Sequence, residues 1–519
     1  MGRSGRERAG RRRRDPDSGA RPGGQAARIG AYPALSPAFS PALSLALSLS
    51  LSLSLPLALP SPAAAEPLPD NNYALDLFQG PILAPLRVTG LAGSYAGYAE
   101  GIAGMVTNAA APALREPFSI GWVDYDVAAS ISIPLAAFEN NDFDNSGTRD
   151  EDYSNFIYGT LGALLQIGIF GIGANADLSR YTLDFGGEQS AITLGRYHLL
   201  AGVQLLGGQL LLGGGARAVT LGIDAPDATL TLAGISPQLG FLIRPDWSSW
   251  RLGATFRFPV NGGEFRLGDA ETIDARGVRR AGALVLPDEV VLPWELELGG
   301  AIQVGPRPLN PAWINPRAEE RALREERARA REEREARWAA DLRDVGTEEE
   351  RLELTRRHAE IRAREAAREQ AELARADDAL QEDRRARAKN WPRERLLITA
   401  ALLVTGPVDR GVSLEWFLRG DVPGETSKIG TSGAAVNFSP RFGIETEPIP
   451  ELIATRLGSY YEPSRFGRVG RQHFTFGADL KVFSTTFWGL VPEVTYSLRA
   501  AMDLAPRYES VSLGLGVWR

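Results

Sequence analysis

Apolar and polar residues alternate with a period of two through 118–260, and the pattern resumes at 293–306 and from 394 onward. In Trp250-Arg251-Leu252-Gly253-Ala254-Thr255-Phe256-Arg257-Phe258 every second residue is apolar and two of the partners are arginines. The same holds for Trp294-Glu295-Leu296-Glu297-Leu298, for Phe474, Phe476, Ala478, Leu480 and Val482 against Asp479 and Lys481, and for Tyr496, Leu498, Ala500 and Met502 against Arg499 and Asp503. A period of two is that of a strand, and Gly, Asp, Asn or Pro turns separate the runs, so antiparallel β-structure is predicted. About 14 segments result, near 118–133, 155–169, 171–185, 189–206, 208–223, 228–244, 248–259, 293–306, 394–406, 433–447, 451–463, 471–484, 494–504 and 508–518. Alternation alone fits both a soluble sandwich with charges outside and a transmembrane barrel with charges inside. Length separates the two: the segments exceed the 5 to 6 residues usual in globular strands and suit the roughly 9 to 11 tilted residues that cross a bilayer. The last run, Val511 to Trp518 with an aromatic one residue from Arg519, resembles the closing strand of an assembled barrel.

Between 311 and 390 the pattern changes to Ala, Arg and Glu, which is helical by propensity. Glu320–Arg324, Glu325–Arg329, Glu333–Arg337, Glu353–Arg357 and Glu360–Arg364 are oriented i,i+4 pairs. Asp344-Val345-Gly346-Thr347 breaks the run, and Thr347 with Glu350 offers a capping box for a second helix, so an αα-hairpin is predicted. Leu352, Ala359, Ala366, Leu373 and Leu380 recur every seven residues, but the companion positions are often charged, which favours a solvated hairpin over an oligomerisation seam. Acidic residues cancel the arginines here, so nucleic-acid binding is not expected.

Composition narrows the chemistry. There is no Cys, and His198, His358 and His473 are scattered, which removes disulfides, thiolate metal sites and imidazole clusters; no cofactor is expected. After the N-terminal region no apolar run reaches about 20 residues, so membrane crossing requires a barrel. Outside the leader and the charged insert the chain is acidic by about twelve charges, which argues against a polyanion pore. His473 near Thr475 could suggest acyl-transfer chemistry, but no orienting group is evident, and the chain is not expected to be an enzyme. Residues 11–14 are basic, 43–59 alternate Leu and Ser, and Ala63-Ala64-Ala65 is a small-residue exit, which together read as a signal peptide and leader over 1–65.

Strand parity sets the expected topology. With both termini in the periplasm, the short 2–3, 4–5, 6–7 and 10–11 connections become periplasmic turns, and 134–154, 260–292 and 407–432 become long outer loops. The charged hairpin, on connection 8–9, is then periplasmic.

Ahead of the first strand, in 90–114, Leu91, Tyr95, Tyr98, Ile102 and Met105 fall at helical spacing beside a bare ridge of Gly93, Gly97 and Gly101. So many glycines weaken a free helix and suit a segment packed inside something. This Gly-Ala-Tyr stretch, followed by Asn108 and a Pro112-Ala113-Leu114 run, resembles the hatch of FadL-type outer-membrane transport proteins, with the proline displaced from the position next to Asn. The strand count, Leu292-Pro293-Trp294 before strand eight and the last strand extend the resemblance; 311–390 lies outside it.

The resemblance implies an all-β fold: a monomeric transmembrane antiparallel β-barrel of about 14 strands with an N-terminal plug, here carrying an inserted α-helical hairpin. The expected division is leader 1–65, plug 66–115, barrel 116–310, hairpin 311–390 and barrel 391–519. The implied function is passive movement of hydrophobic small molecules, such as long-chain fatty acids, across the outer membrane of a Gram-negative bacterium. Leu91, Tyr95, Tyr98, Ile102 and Met105 would line the ligand pocket, or only pack the plug to the wall. The implied partners are the lipid bilayer and a hydrophobic ligand. A rival reading is a PorV-like barrel that docks secreted or surface proteins, with a periplasmic protein contacting 317–389. Asp142, Asp144, Ser146 and Asp150 follow the spacing of a calcium loop, but Tyr153 stands where the bidentate Glu belongs, leaving at most a weak site and favouring a plain acidic loop.

Overall fold

The computed structural model describes residues 70–115, 121–133, 142–147, 152–185, 188–262, 266–267, 271–313, 315–419, 431–485 and 494–517. The leader expected over 1–65, the start of the expected plug and Asp150 of the acidic loop lie outside them.

Each predicted segment holds one strand: β1 Val123–Ile133, β2 Asp152–Ile167, β3 Phe170–Phe185, β4 Glu188–Leu205, β5 Leu210–Ala225, β6 Ala228–Ile243, β7 Trp250–Arg257, β8 Glu295–Val304, β9 Leu396–Thr405, β10 Asn437–Ile449, β11 Ile453–Glu462, β12 Arg471–Thr485, β13 Val494–Ala505 and β14 Tyr508–Val517. Each pairs antiparallel with its neighbours in sequence, and β1 pairs with β14 (Ala129↔Leu515, Ile133↔Val511), closing a 14-stranded barrel. Closure leaves the sheet without free edges.

The pleat is sided as a membrane barrel requires. On β6, Ile235, Leu239 and Phe241 face out at 71%, 58% and 39% exposure, while Ser236 and Gln238 between them are buried. On β12, Phe474, Phe476, Leu480 and Val482 face out, and His473, Thr475 and Asp479 face in. Along β3 to β6 this chemistry then reverses without any change of parity. On β3, exposed Phe170, Ile172 and Leu178 give way to exposed Arg180, while the inward Asn175, Asp177 and Ser179 give way to buried Tyr181 and Leu183. Ala233 to Phe241 on β6 similarly gives way to exposed Thr231 and Thr229 over buried Leu232 and Leu230. An outward apolar band about nine residues tall, followed by outward polar residues, marks where strands leave hydrocarbon for water.

Beyond that boundary the strands enclose an ordinary hydrophobic core. Tyr181, Leu183, Ile192, Leu194, Leu221 and Leu230 pack with Leu75, Val290, Val412 and Phe417, which come from outside the barrel ladder. A five-stranded inner sheet brings these together, with Ala74–Asp76 running parallel between Glu289–Val291 and Gly411–Ser413. Sequence parity had left the long connections 134–154, 260–292 and 407–432 as outer loops; two of them build this sheet, because Val290, Leu292 and Val412 can bury only against the strand extensions.

Ala74–Asp76 sits at the long-loop end, and β1 begins at the opposite end, so 74–115 runs the length of the lumen. It does so as two short helices, Leu86–Gly90 and Gly101–Met105, and a 3-10 turn at Ala111–Ala113, not as the continuous helix that the spacing suggested. Left-handed φ values at Ala92, Gly93, Ala99 and Gly101 break it. Gly97 does serve close approach: a Cβ there would lie 2.6 Å from the amide nitrogen of Gly300.

The hairpin has helices α1 Pro316–Arg343 and α2 Glu348–Lys389, with Thr347 at the N-cap of α2 and its hydroxyl 2.6 Å from the Glu350 carboxylate. The arms are antiparallel, held by Arg327–Glu372 at 3.2 Å, Arg334–Glu365 at 3.0 Å, Arg331–Glu369, and a Trp338–His358 stack with centroids 5.2 Å apart. Arg329 and Arg337, expected to pair with the carboxylates of Glu325 and Glu333, donate to those residues' backbone carbonyls instead. The packed face of α2 carries Leu354, His358, Ile361 and Leu373, whereas Leu352, Ala359 and Ala366 of the seven-residue series are exposed. The hairpin leaves the barrel at the end that carries the short turns 168–169, 206–209 and 450–452.

Candidate functional site in the lumen

Charges placed on inward strand positions sit in a protein-filled interior surrounded by lipid-facing residues, so each needs a counter-charge or a hydrogen-bond partner there. Glu445 of β10 is the hub. It accepts from Arg87 Nε and Nη2 at 2.8 and 2.7 Å, from Arg456 Nε at 2.6 Å, and from Arg395. Arg456 forks onto Asp479 of β12 at 2.6 and 2.8 Å, a bidentate geometry that fixes direction as well as charge. Arg251 of β7 donates to Glu100 at 3.0 Å, to the Tyr98 carbonyl at 2.8 Å and to Asn310 at 2.8 Å. Arg87, Tyr98 and Glu100 belong to the 74–115 segment, so the network ties that segment to the wall.

Uncharged contacts also join the segment to the wall. Asn108 donates to the carbonyls of Ala96 and Phe241 at 2.8 and 3.0 Å and accepts from the Ala110 amide at 2.9 Å. Gln166 donates to the Pro112 and Leu114 carbonyls at 2.9 and 2.8 Å, and Gln204 to that of Ala113 at 2.6 Å. Inward glycines make room: added Cβ atoms on Gly162, Gly171 and Gly213 would run into Ile102, Pro112 and Ala109 respectively. Asn108 and Pro112, singled out from the hatch resemblance, thus both lie where the segment meets the strands.

Two cavities flank the segment. One, with about 70 Å³ open to the centres of water-sized molecules, lies toward the short-turn end among Arg87, Tyr95, Ile102, Asp126, Ala128 and Arg456. The other, about 120 Å³, lies toward the long-loop end among Ile82, Val106, Arg196, Arg217, Arg257 and Leu403. Of the five predicted pocket residues, all at most 2% exposed, Tyr95 and Ile102 line the first cavity. Leu91 packs at Gly443, Met105 at Gly173, and Tyr98 against Tyr95 at 5.3 Å and under the Arg87 and Arg251 guanidinium groups.

His473 was visible in the sequence only beside Thr475. In the fold both ring nitrogens are taken by carboxylates, Asp503 at 2.8 Å and Glu462 at 2.7 Å, and the ring stacks on Tyr460 at 4.2 Å. Thr475 donates to the Gly90 carbonyl at 3.2 Å. The partners come from β11 and β13, which a one-dimensional pattern does not juxtapose.

In the acidic loop, Asp144 accepts from the Ser146 amide at 3.0 Å and Asp142 from the Gly147 amide at 2.9 Å, with Arg507 3.3 Å from Asp142. Burial and neighbouring Asp142 push the Asp144 carboxyl up to about 6. Among the described residues no group of three acidic or histidine side chains converges on a metal position.

The fold and this site define a transmembrane β-barrel with a protein-filled lumen. No family model and no curated protein matches the chain. Among solved structures it is similar to the TodX monoaromatic hydrocarbon channel deltaS2 mutant, at 10% identity and a TM-score of 0.40, over 85% of this chain and 98% of that one. It is also similar to CdiB from Escherichia coli (11%, TM-score 0.30, over 76% of this chain and 63% of that one) and to Pseudomonas aeruginosa OpdL (9%, TM-score 0.23, over 76% and 97%). At these scores the likenesses add nothing to the strand ladder, which is itself the 14-stranded closed barrel that the FadL-type resemblance implied.

Proposed function

We propose that the chain is an outer-membrane transporter that moves hydrophobic small molecules passively, with 74–115 acting as its plug. The observation that carries this reading is the placement of that segment between two cavities inside a barrel whose outer face is apolar. A solute leaving water for the membrane needs a recess on each side of a plug and no nucleophile. Both cavities mix apolar and charged linings, which suits a hydrophobic solute carrying one polar end, as a long-chain fatty acid does. Of the five expected pocket residues, Tyr95 and Ile102 are the two that would meet it. The test is uptake of radiolabelled toluene and of radiolabelled oleate by Gram-negative cells producing the full chain; uptake above that of cells lacking it supports the reading, and uptake of neither contradicts it.

A second reading rests on the hairpin. Its arms pair with each other, and among the described residues its base meets the barrel through Arg317 over Trp122 at 4.2 Å and, just after α2, Arg393–Glu451 at 3.2 Å. An arm this exposed, on the short-turn side that we place in the periplasm, suits a periplasmic protein partner. A partner recovered with the full chain and lost on removing 317–389, with uptake retained, would support it.

A further inference from the structure

The chain between β8 and α1 crosses the short-turn end of the lumen. It leaves β8 at Val304 and by Trp313 has reached Trp122, just ahead of β1, the two indole centroids lying 6.1 Å apart; β1 stands halfway round the ladder from β8. Anchors follow one another along this crossing. Arg307 donates to Glu447 at 3.2 Å, and Leu309 is buried in a cluster with Tyr95 and Tyr98 of the 74–115 segment. Asn310 donates to the carbonyls of Pro245, Ser248 and Trp250 at 3.0, 3.0 and 2.8 Å, and the Pro311 carbonyl accepts from Arg244 at 2.7 Å. Arg115, the last residue of 74–115, lies 4.2 Å over the Trp313 ring.

Two arginines carry this hold on to Tyr98. Arg251, 1% exposed, donates on one side to Asn310 at 2.8 Å and to the Leu309 carbonyl at 2.5 Å, and on the other to the Tyr98 carbonyl at 2.8 Å and to Glu100 at 3.0 Å. Arg395, where the chain returns from α2 to β9, donates to the Tyr98 hydroxyl at 2.8 Å. The rigid fork of a guanidinium makes such a bridge directional. Tyr98 is thus clasped, by carbonyl and by hydroxyl, from both connections that carry the hairpin. Glu100 and Glu447, the carboxylates of this clasp, also line the short-turn cavity.

We propose that 307–313 is an autoinhibitory strap: seated, it pins Tyr98 and Glu100 and so limits passage of a solute through the short-turn end; displaced with the root of α1, it frees them. Arg317, in the first turn of α1, rests on the same Trp122 ring that meets Trp313, so a displacement of the hairpin reaches the strap directly. This inference rests on the transport reading and gives the hairpin, which that reading leaves unused, a part in it.

The test uses the full chain. Asn310→Ala with Trp313→Ala loosens the strap, and heat-dependent gel mobility shows that the barrel has formed. Trp122→Cys with Trp313→Cys, in a chain with no Cys of its own, loosens it as well and lets a short bis-maleimide fasten it again. Arg331→Ala, which breaks a pair between α1 and α2, is the control. Uptake of radiolabelled toluene by cells, and amide hydrogen exchange of the purified chain in lipid nanodiscs, are measured for each. The loosened chains should take up toluene faster than wild type and exchange amides over 98–104 roughly fivefold faster or more, as the loss of one or two anchors shifts a local opening. Bridging the cysteines should return both to the wild-type level or below, and the control should match wild type. Unchanged uptake in loosened chains that have formed their barrel, or a bridged pair as fast as the unbridged one, overturns the strap and leaves the transport reading standing. No uptake by wild-type or loosened chains overturns both.

Discussion

A Cβ on Gly97 would stand 2.7 Å from the carbonyl oxygen of Gly299, so the 74–115 segment and β8 touch backbone to backbone. Gly97→Val forces these apart and should cost about 1–3 kcal/mol by overpacking. Gly222→Val is the comparison, since a Cβ there meets nothing nearer than 3.9 Å. Thermal unfolding of the detergent-purified barrel should show a lowered midpoint for the first variant and a near-unchanged one for the second.

Glu445 is fully buried and answers Arg87, Arg395 and Arg456. Glu445→Leu leaves three guanidinium groups short of a counter-charge, a loss of the kind that costs about 3–5 kcal/mol when a buried pair is broken. Combining it with Arg395→Leu should recover part of that loss. Chemical unfolding of the two variants and the wild type checks both expectations, and a double variant weaker than Glu445→Leu alone would contradict the pairing.

Removing α1 and α2, with 313 joined to 391 by a short Gly/Ser linker, should leave the barrel's unfolding midpoint close to that of the full chain. The helices are held mainly to each other, through pairs such as Arg327–Glu372 and Arg334–Glu365. Surface ion pairs of this kind contribute only about 0–1 kcal/mol each. Heat-dependent gel mobility and the thermal midpoint measure the outcome; a large drop would show that the hairpin props the barrel.

The strands, their sidedness and the hairpin were legible because each is written locally, as a period of two or as Ala/Arg/Glu composition. Thr347 was legible as the N-cap of α2 for the same reason, but its hydroxyl donates to the Glu350 carboxylate and accepts no backbone N–H, so the expected capping box is not formed. What the sequence hid is non-local. Val290 and Val412 lie in stretches that read as loops, and pairing with residues distant in sequence, parallel with Leu75 and antiparallel with Gly262 and Thr431 respectively, makes them strands. The arginines of α1 have good i,i+4 partners, but the antiparallel arm offers carboxylates that no local rule anticipates. In the 74–115 segment, the helical spacing from Leu91 to Met105 yielded to left-handed turns at Ala92 and Ala99. Tyr95 and Ile102 reach a cavity, whereas Leu91, Tyr98 and Met105 meet the wall or its arginines, a division set by which strand each faces.

Asp144, in the loop beyond the strands, carries a carboxyl raised from 3.8 to about 6 by burial and by Asp142. A group raised in the folded state favours folding below its unfolded value, and that contribution is lost as pH rises through about 6. Asp144→Asn removes this dependence. The thermal midpoint of the variant relative to wild type should therefore rise between pH 4 and pH 7; a flat difference across that window would contradict it.

The central claim is the sidedness of the pleat and the height at which it ends. Spin labels placed singly at positions 229, 231, 235, 239 and 241 on the outward face of β6, in the full chain in lipid vesicles, test it through collision with oxygen and with a water-soluble nickel complex. Labels replacing Ile235, Leu239 and Phe241 should favour oxygen, and labels replacing Thr229 and Thr231 should favour nickel. Preference for nickel at all five positions would place that face in water and contradict the account.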